Sequence, residues 1–294
     1  MLPTFLIIGA QKCGTSSLFH HLSGHPDVYL PAAKEIDFFS DPGWFRGLAW
    51  YEGVFAASGG AAAVGEASPS YTVHPHAPEV PERIASVLPG VKLIYLLRDP
   101  IARMRSAYLH ALSEGVERRP IGRALLEDPL YLDHSRYALQ IDRYLQVFDR
   151  DQLLLLTLEN LRDHPREVLG RVCDFIGVDP TWRPPDLDLA YNSARDHLRA
   201  PLAPWRYLGH LVIAHHLEGL VPDVLLRLNR RQLLTRAIHP GELTVDPDLR
   251  ARLLDLLRPD LLDLRDLLDQ DFDAWGLLSP AVGAVPAGEA PRGS

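Results

Sequence analysis

Lys12 stands in Phe5-Leu-Ile-Ile-Gly-Ala-Gln-Lys-Cys-Gly-Thr-Ser-Ser-Leu18, between two glycines and just ahead of three hydroxyl residues. Those types in that order point to oxyanion binding. The apolar run ending at Gly9 predicts a buried strand, and Thr15, Ser16 and Ser17 predict the opening of a helix. Where strand, turn and helix meet, unpaired N–H groups converge with the positive end of the helix dipole. Small residues let a phosphate come close to the main chain. A Walker A loop reads G-x-x-x-x-G-K-[ST]. Gly9 and Gly14 keep that spacing, but Thr15 takes the lysine's place and the cation comes from Lys12. The cradle, with Cys13 inside it, is P-loop-like with a displaced lysine.

A second cation occupies an equivalent place. Lys92-Leu-Ile-Tyr-Leu-Leu-Arg98 reads as a buried parallel strand, and Asp99-Pro100 as an N-cap and first turn of the helix that follows. A residue at the carboxyl end of such a strand faces the crevice where α/β proteins take ligands. The planar fork of Arg98 suits phosphate oxygens, and Ser106, two turns along the helix, offers a hydroxyl to the same anion. Two anion pockets on one sheet suggest a nucleotide phosphorylated at both ends of its ribose.

The elements that must position these residues alternate between apolar strands and amphipathic helices. The sequence predicts strands near residues 5–9, 28–30, 64–66, 92–98 and 152–157, and helices over 16–23, 79–88, 100–114, 135–148 and 165–176. That pattern is α/β: a P-loop-like parallel sheet flanked by helices, with a helical C-terminal part. Residues 56–63 and 115–133 read as loops, the second with one helical turn at most. Residues 180–204, rich in Pro, Asp and Arg, read as a long loop. Residues 205–236 read as helix interrupted at Pro222, leaving open a core-packing hairpin, a homodimer face or a peripheral membrane contact. Leucines over 247–270 have helical spacing, with Pro259 predicted to split them into two helices. One domain over residues 1–278, with an extension at 180–245 and a disordered tail over 279–294, accounts for the chain.

Composition narrows the classes. The 294 residues are 47% hydrophobic and 23% charged with a formal net charge of −8, an ordinary globular balance without the basic footprint of a nucleic-acid binder. Cys13 and Cys173 cannot make a disulfide framework and fit a reducing compartment. No apolar run reaches the ~18 residues of a membrane span, and the N-terminus lacks the pattern of a signal peptide; the expected location is the cytoplasm. His74 and His76 flank Pro75, and His215 and His216 are adjacent; neither pair has helix-spaced ligand geometry, so no metal is expected.

The chain resembles the sulfotransferases that use 3′-phosphoadenosine-5′-phosphosulfate (PAPS), especially the heparan-type and bacterial branch. The likeness rests on Gln11-Lys-Cys-Gly-Thr-Ser-Ser17, on Leu93 to Arg98 with Asp99, Pro100 and Ser106, and on the closing pattern from Val245-Asp-Pro to Phe272-Asp-Ala-Trp275. It implies that Lys12, Cys13, Gly14, Thr15, Ser16 and Ser17 bind the 5′-phosphosulfate, that Arg98 and Ser106 bind the 3′-phosphate, and that adenosine 3′,5′-bisphosphate is the product. It further implies that Glu35, in Lys34-Glu-Ile-Asp-Phe-Phe39, is the catalytic base. Asp37 stands where related sequences often carry histidine, and Ala67 where they usually carry lysine. Glu66 reads equally as structural or substrate-contacting, Tyr137 as core or adenine pocket, and Arg195 and Arg199 as solvated or closing over the nucleotide. The acceptor would be a hydroxyl on a saccharide, lipid or secondary metabolite. Two rivals stand beside this reading: a P-loop kinase or NTPase, and a nucleotide-binding protein that transfers nothing.

Overall fold

The computed structural model describes residues 1–185, 187, 199–201, 235–268 and 272–278. Five parallel strands form the main sheet: β1 (Phe5–Gly9), β2 (Val28–Tyr29), β3 (Ala63–Ala67), β4 (Lys92–Leu97) and β5 (Leu153–Thr157). Their order is β2-β3-β1-β4-β5. β1 is central, with Leu6 opposite Glu66 on one side and Leu93 on the other. Every residue of β1 and β3 is buried, as is β4 beyond Lys92; β1 and β4 accordingly read as apolar runs, whereas β3 carries Glu66 within it. Because the chain leaves β1 in one direction and later returns on its other side, the carboxyl ends of β1, β3 and β4 open a crevice at a topological switch point.

The helices that bear on this crevice are α1 (Thr15–Ser23), α2 (Leu48–Val54), α3 (Val80–Val87), α4 (Pro100–Ser113) and α7 (Tyr137–Leu145). Asp99 caps α4 by accepting from the Ala102 N–H at 2.9 Å, with Pro100 in the first turn as expected. Helices α8 (Leu158–Asp163) and α9 (Pro165–Ile176) follow β5, and α9 ends at a left-handed Gly177. The described residues confirm the α/β architecture and its helical C-terminal part.

Three expectations are corrected. The loop foreseen over 115–133 holds two helices, α5 (Ile121–Glu127) and α6 (Pro129–Asp133). Asp128-Pro129 opens α6 by the same device as Asp99-Pro100, its side chain accepting from the Leu130 N–H at 3.1 Å. Residues 247–268 form one helix, α10 (Pro247–Leu268), with Pro259 inside it rather than a break. Pro259 and Asp255, four residues earlier, are both exposed, so water can serve the carbonyl that loses its donor. Meanwhile Leu253, Leu257, Leu261 and Leu264 keep one buried stripe across the proline. Within the loop expected over 180–204, Arg199–Pro201 forms β6, antiparallel to β7 (Thr235–Ala237). Its partner lies far downstream, so no local signal marks it. Arg195, His215, His216, almost all of 205–236 and the tail over 279–294 lie outside the described residues.

Candidate active site

The loop after β1 is built as an anion cradle. Gly14 is the N-cap of α1 in left-handed backbone at φ 94°, and a Cβ there would come within 2.7 Å of Leu158 Cδ1, so only glycine fits. The first turn of α1, with Thr15, Ser16 and Ser17, carries no acidic residue of its own. Lys12 also has left-handed backbone, at φ 70°, which turns its side chain out of the strand direction. It is half-buried. Burial lowers its pKa below the usual lysine value, the charges of Lys34 and Arg98 push the same way, and Glu35 and Glu114 oppose them.

Cys13 lies inside the cradle but is turned into the core, its Sγ 3.6 Å from Tyr137 Oη. Burial pushes its thiol up to about 11, so it stays protonated and has only its backbone to offer an anion. Tyr137 is fully buried, with its ring 6.2 Å from those of both Tyr95 and Trp275; it packs beneath the loop as a core residue.

Arg98 emerges from the end of β4 and donates from Nη1 to the Lys12 carbonyl at 3.1 Å. The residue read as the anchor of a separate pocket thus also braces the first loop. Ser106, half-buried on α4, has a hydroxyl that engages none of the described residues.

Glu35 lies within electrostatic reach of Lys12. Its side chain is 53% exposed, and its Oε1 accepts from Lys34 Nζ at 2.7 Å, the lysine being 22% exposed. The backbone of Glu35 (φ 64°) and Asp37 (φ 51°) is left-handed, a conformation that non-glycine residues keep only when their surroundings impose it. The imposing partner is the end of β3 and the residue after it: the Glu35 N–H donates to the Ala67 carbonyl at 3.0 Å and the Asp37 N–H to Ser68 Oγ at 3.0 Å. The Asp37 carboxylate is taken up by Ser70 Oγ at 2.5 Å. Behind them Phe38 stacks on Tyr51, ring centroids 4.2 Å apart.

Glu66 lies 1% exposed under this segment, where it contacts side chains of the fold rather than the open crevice. Burial raises its pKa, against the hydrogen bonds of Ser68, Tyr51 and Tyr71. Sequence reasoning did not single out Glu114, just past the end of α4, whose charge acts on Lys12; only the direction of α4 across the crevice brings it there. His76 pairs with Asp133 at 3.0 Å. Among the described residues no group of three or more His, Cys, Asp or Glu side chains is placed to hold a metal, and no helix is long and apolar enough to cross a membrane.

Known proteins resemble this chain in sequence and in fold. The chain is 33% identical over 214 residues to mouse bifunctional heparan sulfate N-deacetylase/N-sulfotransferase 4, a match covering 62% of this chain and 23% of that protein. It is 35% identical over 185 residues to mouse heparan sulfate glucosamine 3-O-sulfotransferase 6, covering 60% and 52%. The chain therefore spans between a quarter and about half the length of these relatives. Among solved structures, a sulfotransferase from Alicyclobacillus acidocaldarius superposes with a TM-score of 0.69 at 28% identity, covering 94% of this chain and 99% of that one. Since the sulfotransferase-domain family also matches residues 2–196, with the cradle, Arg98 and Glu35 inside the match, the chain belongs to the sulfotransferase family.

Proposed function

We propose that this protein transfers a sulfuryl group from PAPS to a saccharide hydroxyl. The observation that carries the reading is the convergence of a half-buried Lys12, braced by Arg98 and within electrostatic reach of Glu35, with a helix N-terminus whose first turn carries no acidic residue. The residues suit the donor: the N–H groups from Gly14 to Ser17 and Lys12 match its 5′-phosphosulfate, and Arg98 with the unengaged Ser106 hydroxyl its 3′-phosphate. A saccharide is favoured over a lipid or secondary metabolite because the curated relatives are named for heparan sulfate.

The reaction forms a bond from the acceptor oxygen to sulfur and breaks the bond from sulfur to the 5′-phosphate oxygen, in line and through a loose transition state. The acceptor proton passes to Glu35. Lys34 holds Oε1, so Oε2 is the oxygen left to receive it. Charge that builds on the departing phosphate meets the Lys12 ammonium and the helix N-terminus. A sulfuryl group carries one negative charge, so the incoming hydroxyl meets little repulsion and no divalent cation is needed. The two buried, unpaired thiols fit a reducing compartment such as the cytoplasm.

The test is incubation with PAPS and a panel of glucosamine-containing oligosaccharides, read by mass spectrometry as a donor-dependent gain of one sulfate that survives chelation of divalent cations. Calorimetry should show binding of adenosine 3′,5′-bisphosphate. Tight binding of magnesium-ATP with no affinity for the bisphosphate would overturn the proposal in favour of a kinase or NTPase. Bisphosphate binding without transfer to any acceptor would favour a catalytically idle binder.

A further inference from the structure

We infer that Glu66 is a positioning residue for the base: its buried carboxylate fixes the direction of three hydroxyl groups, and two of them hold the backbone that presents Glu35. The inference rests on the reading of Glu35 as proton acceptor. Glu66 Oε1 accepts from Tyr51 Oη at 2.6 Å and from Tyr71 Oη at 2.9 Å, and Oε2 accepts from Ser68 Oγ at 2.6 Å. A hydroxyl has one proton to give, and in all three pairs the hydroxyl donates to the carboxylate. Each of the three protons is therefore committed to Glu66, and the lone pairs of Ser68 and Tyr71 are turned outward. There they meet the Asp37 N–H at 3.0 Å and the Phe39 N–H at 3.4 Å.

With the Glu35 N–H on the Ala67 carbonyl, every second amide from 35 to 39 is tied to the end of β3 or to the stretch that follows it. Tyr51 adds a side-chain tie, since the hydroxyl on Glu66 also fixes the ring that stacks on Phe38 at an interplanar angle of 9°. The left-handed Glu35 needs such external support, because a glutamate side chain does not favour that backbone, whereas Asp37 tolerates it more readily. A glutamine at position 66 would present N–H donors where the hydroxyls now donate. At least one hydroxyl would turn, and its lone pair would leave the loop.

The experiment compares Glu66→Gln with the unaltered protein by amide hydrogen exchange, read by mass spectrometry on peptides spanning 34–40, and by steady-state transfer from PAPS to the glucosamine oligosaccharides above. Exchange in that peptide should accelerate about tenfold, the loss of roughly one buried hydrogen bond, with β1 and β4 peptides unchanged. The kcat should fall by about ten- to a hundredfold, the scale of misplacing a reacting group by ~1 Å, while KM for PAPS stays within about twofold. A purely structural role would not separate kcat from donor KM in this way. Unchanged exchange in the 34–40 peptide would overturn the inference. If Glu66→Gln loosens the whole protein, Ser68→Ala decides, because it removes the one hydroxyl that joins Glu66 Oε2 to the Asp37 N–H and leaves both tyrosine links in place: local acceleration in the 34–40 peptide upholds the inference and its absence overturns it. A Glu35→Gln variant separates the two failures. Full turnover there, with exchange still responding to Glu66→Gln, removes both the base and the catalytic role of Glu66. An inactive Glu35→Gln with unchanged exchange in Glu66→Gln removes Glu66 alone.

Discussion

In the proposed transfer Lys12 carries an electrostatic task, and its neighbours shape its charge. Its ammonium is held at lowered pKa by burial and by Lys34 and Arg98, so it is poised to gain from an arriving anion. Lys12→Ala should lower turnover by about a hundredfold or more, the loss typical of one preorganised donor, as measured by sulfate release from PAPS to the acceptor. An unchanged rate would remove Lys12 from the mechanism. The sign of the pKa shift gives a second outcome. Lys12 loses its charge as pH rises through a value below that of free lysine, so kcat/KM should fall on the alkaline side earlier than an unshifted lysine would allow. Lys12→Arg should displace that limb to higher pH. Arg98 joins the two motifs, reaching the Lys12 carbonyl while sitting at the end of β4. Arg98→Lys keeps the charge and loses the fork; calorimetric affinity for adenosine 3′,5′-bisphosphate should drop about tenfold or more, the worth of one hydrogen bond to a charged group.

At the scale of elements, the stretch ahead of α5 is fixed by one carboxylate. Glu117 is buried and accepts from the N–H groups of Arg118 and Arg119 at 2.7 and 2.8 Å, and from Arg119 Nε and Nη2 at 3.0 and 2.7 Å. Burial alone would raise its pKa, but these donors outweigh it and hold the carboxyl at about 2. A carboxyl whose folded pKa lies below its unfolded value adds stability above the unfolded value, near 4.5, and loses it as pH falls toward 2. Glu117→Gln should therefore cost about 1–3 kcal/mol at neutral pH and flatten the acid limb of stability between those values, as thermal unfolding at a series of pH values would show. The Asp-Pro openings of α4 and α6 belong to this scale too. One was read correctly because a strong strand preceded it; the other was missed because no strand precedes it and its helix is only 5 residues long.

For the whole molecule, α10 is the tie. Its Leu253, Leu257 and Leu261 fill the core formed with α4, α5 and α6, while Leu264 enters the core around the sheet. Phe272 and Trp275 pack against both. Asp260, next to Pro259, adds a polar link by accepting from the N–H groups of Ala138 and Leu139 at 3.2 and 2.9 Å, at the start of α7. Leu257→Ala, at a fully buried position, should lower unfolding free energy by about 2–5 kcal/mol, read from denaturant midpoints. A change well under that range would mean that this helix does not hold the two cores together.

The amino-acid sequence by itself determined the five strands of the main sheet, the P-loop-like cradle around Lys12 and Gly14, and the Asp99-Pro100 cap, because each depends on residues adjacent in the chain. Hydrophobic runs, turn glycines and capping residues act over a few positions, and their pattern survives without the fold. Only the tertiary structure decided that Arg98 braces the Lys12 loop, that Glu114 lies within electrostatic reach of it, and that Cys13 and Tyr137 are core. It alone tied the left-handed segment around Glu35 to the stretch after β3 through hydroxyls committed to Glu66. Those relations join residues far apart in sequence, across strands whose neighbours are set by the packing of the sheet, and no local pattern of residue types encodes which distant carbonyl or hydroxyl a given N–H will meet.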